Sequence, residues 1–132
     1  MSKIKIERYY TRCLTICQGD VLLVNFAKGS TGCRTGGMRP CVVASSDEAI
    51  RTEGRFFVVP LYRKPSKSTN REDILISPVD CRGLRYECYA QALNMMMCSR
   101  CRVAKKIGHI TNEAIIKELT LALWNLVEGD AG

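Results

Sequence analysis

Residues 31–43 read TGCRTGGMRPCVV. Three glycines and two threonines disfavour a helix, and the β-branched pair Val42 and Val43 favours an extended strand. Pro40 stands at the entry of that strand, where a missing N–H does least harm. A mobile, basic loop therefore feeds a buried strand, with Arg39 at the junction.

Working outward, GDVLLVNFA at 19–27 is an apolar run opened by a turn dipeptide, so it reads as a strand. The loop KGSTGCRTGGM at 28–38 joins it to the strand RPCVVAS. SDEAIRTEG at 46–54 is a polar connection with room for a short helical turn, and RFFVVPLY at 55–62 is a third strand. RKPSKSTNRED at 63–73 holds four basic residues, a proline and small polar residues, the mark of a solvated loop. ILISPV is a short strand, and CRGLRYE turns at Gly83. CYAQALNMMM at 88–97 suits a buried strand and a short helix equally. RVAKKIGHI ends in a short strand.

The tail is a helix. Thr111 is placed to cap it, Ile115, Leu119, Ala122, Leu123 and Leu126 recur at helical spacing, and Gly129 ends it. The predicted fold class is mainly β with helices (α+β): a small antiparallel barrel or sheet closed by a C-terminal helix. The 132 residues make one domain, 1–132, with residues 1–18 as an N-terminal leader.

The chain carries 20 Lys+Arg against 13 Asp+Glu, a net +7, which suits a polyanionic partner. No apolar run is long enough to cross a membrane as a helix. The mixed-charge start MSKIKIERYY is not a signal sequence, so a cytoplasmic location is expected. The eight cysteines are then expected as thiols. Cys98 and Cys101 form a CxxC, but the spacing of the other close pair, Cys13 and Cys17, does not complete a zinc-site pattern. Zinc at Cys98 and Cys101 stays open as the minor alternative to buried or surface thiols; otherwise no metal and no cofactor is expected.

GDVLLVNF, then GGMRPCVV, then VVPLY, then KKIGHITNEAIIKELTLALWNLV occur in this order from about Gly19 to Leu126. Together they resemble the MazF/PemK family of toxin endoribonucleases. The resemblance implies an SH3-like barrel, a homodimer, and metal-independent, sequence-specific cleavage of single-stranded RNA. It also implies a cognate antitoxin peptide that occupies the RNA groove. The arginine of the family's R-P pair is catalytic, and here it is Arg39. The family's second catalytic residue is Thr or Ser after a P-hydrophobic pair; here that position is Tyr62. The family's Q-I-R-T segment falls on Asn94, Met95, Met96 and Met97, so its amide persists as Asn94 and its arginine is replaced by Met96. These departures leave open a second reading, a relative that binds RNA or a protein segment without cutting.

Metal-free RNA cleavage needs stabilisation of charge on the phosphate oxygens and a proton for the leaving 5′-oxygen. Arg39 suits the first task, since its fork of donors matches phosphate oxygens. Tyr62 can serve the second, can stack on a base, or can simply pack on the rim. Lys28 and Arg34 in the first loop and Arg63, Lys64 and Lys67 in the second are expected to bind RNA, with Asn94. His109 invites an acid–base role, but its place before the last helix favours a surface or capping histidine. Met95, Met96 and Met97 are expected in core and dimer packing.

Overall fold

The computed structural model describes residues 15–26, 37–63 and 73–128. Seven strands lie among them: β1 (Asp20–Phe26), β2 (Gly37–Val43), β3 (Arg55–Tyr62), β4 (Asp73–Ile76), β5 (Cys88–Gln91), β6 (Met96–Ser99) and β7 (Val103–His109). Two α-helices join them, α1 (Asp47–Thr52) and α2 (Glu113–Glu128). The strands form one antiparallel sheet in the order β4-β5-β3-β2-β1-β7, with β6 pairing on β3.

The expected antiparallel sheet and C-terminal helix are present. The expected barrel is not closed among the described residues, where β4 and β7 end the strand order. The strands that would complete the circle, β4, β5 and β6, have only four residues each. β5 and β6 also share β3: β5 pairs its C-terminal end and β6 its N-terminal half. Side-chain packing seals the sheet instead. On one side Val21, Val42, Val59, Leu61 and Ala90 pack under Ile115, Leu119 and Ala122 of α2. On the other, Leu22, Val24, Cys41, Val43, Phe56 and Val58 enclose Ile50 of α1. Ile16 joins this second cluster, so the end of the proposed leader is part of the core.

The ambiguous run 88–97 resolves into both of its possibilities. CYAQ is strand β5, a 3-10 turn spans Ala92–Asn94, and β6 begins at Met96. The cap of α2 is also one residue later than expected. Asn112, not Thr111, accepts from the Ala114 N–H at 3.0 Å, while the Thr111 N–H donates to the Asp80 carbonyl. Asn is as good a cap as Thr, and Asn112 stands directly before the first helical residue, Glu113. The loop before β5 is held by Asp80, whose carboxylate accepts from Ser77 N–H and Oγ and from Asn112 Nδ2. The Ser77 N–H is the main reason its carboxyl titrates below the usual aspartate range. Gly83 is required by contact, since a Cβ there would meet the Ile107 carbonyl of β7 at 2.0 Å.

The GD dipeptide before β1 locks the sheet's end. Gly19 adopts φ +89, a region costly for other residues, and its N–H and C=O bond Val43 and Ile110. Asp20 is only 1% exposed, yet its carboxylate has three partners. They are the Cys17 N–H at 2.7 Å, Lys106 Nζ at 3.0 Å and His109 Nδ1 at 2.7 Å. An ionised carboxylate only accepts, so all three face it as donors.

Asp20→Asn would turn an amide N–H₂ toward these donors. We expect it to lower unfolding stability by about 3 kcal/mol. His109→Ala, which leaves Lys106 and the Cys17 N–H in place, should cost about 1 kcal/mol. Urea unfolding midpoints at constant m-value check both.

Candidate active site

β2 and β3 pair as Cys41↔Pro60 and Val42↔Val59. Continued to the strand ends, this register sets Arg39 opposite Tyr62. The contact follows: the Arg39 guanidinium carbon lies 4.6 Å from the centroid of the Tyr62 ring. Arg39 Nη1 also donates to the Leu61 carbonyl, at a long 3.4 Å. Both side chains are partly buried. A cation over a ring is held by the ring's negative face, which restricts where the guanidinium can sit. Arg39 is therefore held on β2, within a paired strand.

The other expected site residues divide. Arg63, one residue past β3, stacks on Tyr86 with its guanidinium carbon 4.0 Å from the ring centroid. Asn94 donates through Nδ2 to Gln91 Oε1 at 3.0 Å. Lys28, Arg34, Lys64 and Lys67 lie outside the described residues. The structure thus brings Arg39 and Tyr62 together and gives Arg63 and Asn94 partners of their own. Met96, where the family has arginine, pairs with Val58 and packs on the second core cluster. Met95 packs on the first cluster, and Met97 is half-exposed beside Phe57.

His109 is not part of this group. It holds Asp20 at one end of β1, whereas Arg39 pairs with Val24, four residues further along. At the rise of a strand that is about 13 Å. The structural reading of His109 is the one the geometry supports.

The two cysteines of the CxxC sit in different settings. Cys98 is 2% exposed in the core, where burial pushes its thiol up to about 11. Cys101 is exposed, with Sγ 3.1 Å from Ser99 Oγ. Among the described residues no group of three or more His, Cys, Asp and Glu side chains converges as a metal site.

Sequence reasoning missed Tyr89 and Gln91. Once CYAQ is a strand, alternation places both on the face of Tyr62, because Tyr62 pairs directly with Tyr89. The even balance between strand and helix for this run hid that signal.

The sequence of residues 17–125 matches the model of the PemK-like, MazF-like toxin of type II toxin-antitoxin system, so the chain belongs to that family. Solved structures agree in fold. MazF from Deinococcus radiodurans is 17% identical, with a TM-score of 0.70 over 87% of this chain and 98% of that one. An endoribonuclease in complex with its cognate antitoxin, from a mycobacterial species, is 18% identical with a TM-score of 0.66. It covers 89% of this chain and 99% of its own. A MazE-MazF structure from Deinococcus radiodurans is 15% identical, with a TM-score of 0.69 over 89% of this chain and 100% of that one. No curated protein matches the chain in sequence.

Thiol accessibility gives a direct check of the cysteine assignments. In the folded, reduced protein Cys101 should react rapidly with an aromatic disulfide reagent. Cys41, Cys81, Cys88 and Cys98, all buried, should react only on unfolding. Peptide mapping of the modified protein reads both.

Proposed function

We propose that this toxin is a sequence-specific endoribonuclease that cleaves single-stranded RNA at Arg39 and Tyr62 without a metal ion. The observation that carries it is the contact of the Arg39 guanidinium with the Tyr62 ring, a cation suited to phosphate beside a phenol able to donate a proton. Family membership and the endoribonuclease among the structural neighbours support the activity.

The substrate's own 2′-hydroxyl oxygen attacks the adjacent phosphorus. The 2′-O–P bond forms and the P–O5′ bond breaks, leaving a 2′,3′-cyclic phosphate and a 5′-hydroxyl. Arg39 binds the non-bridging oxygens and stabilises the extra charge of the pentavalent transition state. It is no base, because a guanidinium hardly deprotonates in proteins. The 2′-hydroxyl proton passes to water, and Tyr62 supplies the proton taken up by the leaving 5′-oxygen. Lys28, Arg34, Arg63, Lys64, Lys67 and Asn94 guide the RNA strand into this site. A cognate antitoxin peptide neutralises the toxin by occupying the same groove. Its structural neighbours include an endoribonuclease bound to its antitoxin and a MazE-MazF structure. The active form is a homodimer, for which the half-exposed pair Phe57 and Met97 offers apolar surface. No helix among the described residues is long and apolar enough to cross a membrane, consistent with action on cytoplasmic RNA.

Met96 favours a second reading, a module that binds RNA or a protein segment without cutting, because a core-packed thioether replaces the family's arginine.

Purified protein on a long, sequence-diverse single-stranded RNA in excess EDTA separates the two. Wild type should make discrete cuts. Arg39→Ala should be slower by about 100-fold or more, and Tyr62→Phe by about 100-fold. Intact RNA with the wild type, folded and free of antitoxin, would select the binding module.

A further inference from the structure

The face that carries Arg39 and Tyr62 extends over two more strands. β3 pairs with β5 as Tyr62↔Tyr89, and β5 pairs with β4 as Leu75↔Tyr89. Residues directly opposite in an antiparallel pair share a face, with Cβ atoms about 4.5–5.5 Å apart. Arg39, Tyr62, Tyr89 and Leu75 therefore form one rank across four strands, at steps of about 4.8 Å. On the reverse face the neighbours of the two tyrosines are sealed: Leu61 is 1% exposed and Ala90 0%. Tyr62 and Tyr89 are only partly buried, and Leu75 is exposed. The next rank on the same face holds amides and a carboxylate, with Gln91 opposite Asp73 and bonded to Asn94.

We propose that Tyr89 is the base-stacking platform of the site, receiving the nucleobase next to the phosphate held by Arg39. This rests on the reading of Arg39 as the phosphate ligand. The two tyrosines have different tasks because one ring face of Tyr62 is covered by the Arg39 guanidinium. The next ring along the rank is Tyr89. A cation followed by an aromatic ring one or two strand spacings away matches a nucleotide, which presents a phosphate and then a flat base. Open sheet faces with aromatic side chains bind single strands in this way, and stacking tolerates any base because every base has a π-face. RNA then runs across the strands along the rank, and the exposed Asn94, held by the buried Gln91, meets the edge of the stacked base. Tyr89 is a binding residue and takes no part in proton transfer.

The test compares two fluorescein-labelled 12-mers by anisotropy at one salt concentration. One is a randomised 2′-O-methyl RNA pool, which cannot be cut through its 2′-position; the other is a base-free sugar–phosphate chain of the same length. Their affinity ratio isolates the bases from the charge. Wild type should favour the base-bearing pool about tenfold. Tyr89→Leu should reduce the ratio to near one while leaving affinity for the base-free chain unchanged. Tyr89→Phe and Tyr89→Trp should keep the ratio, and they serve if Tyr89→Leu does not fold. A wild type that does not distinguish the probes overturns the proposal, as when the face takes a peptide instead. So does a Tyr89→Leu variant that keeps the ratio, or Phe and Trp variants that lose it. Cleavage is scored separately on natural RNA. A protein that discriminates bases and cuts nothing keeps the platform and sinks the nuclease reading.

Discussion

Everything in this molecule is referred to a buried carboxylate. Asp20 sits at the first position of β1 and reaches back to the Cys17 N–H, across to Lys106 and along to His109. Two segments far apart in sequence are tied at that point: the entry to β1 and the second half of β7. A carboxylate so placed is costly to bury and is tolerated only because each partner donates to it. It fixes the start of β1 against β7, and β1 then sets the register of β2 through Val21↔Val42 to Val24↔Arg39. Arg39 stands four residues away from the lock along a paired strand. Its position is thus determined by ladder hydrogen bonds, which is what a site with demanding geometry needs.

Strands β1, β2 and β3, the C-terminal helix and the family were legible in the sequence because each rests on local chemistry. Branched apolar runs mark β1, β2 and β3, and Ile115, Leu119 and Ala122 mark the buried stripe of α2. Arg39 and Tyr62 were legible as candidates because GGMRP and VVPLY are contiguous motifs. What could not be read was pairing between distant segments. Tyr89 joins Tyr62 only through the β3–β5 register, and Asp20 meets His109 across 89 residues. The barrel expectation differed for a related reason, since closure depends on how far β4, β5 and β6 extend, and no local residue sets that length. The cap fell on Asn112 and not Thr111 because the helix begins at Glu113, a boundary that the apolar spacing did not fix to one residue.

The departures from the family pattern acquire distinct physical meanings. Met96 pairs with Val58 and packs on the second core cluster, so the position that holds arginine in the family pattern carries no charge here. Tyr62 instead adds a ring that grips Arg39 and a hydroxyl that can donate. The two changes differ in kind: one position carries no charge, and the other braces Arg39 with a ring.

The central claim is that RNA supplies its own nucleophile to a phosphate gripped by Arg39. The most direct measurement replaces a single nucleotide, the one 5′ to a mapped cut, with its 2′-deoxy analogue and follows cleavage in EDTA. The account predicts that this one bond becomes resistant, while cuts at unmodified sites yield 2′,3′-cyclic or 3′-phosphate ends beside 5′-hydroxyls. Cleavage that proceeds at the deoxy position, or products ending in a 3′-hydroxyl, would contradict it.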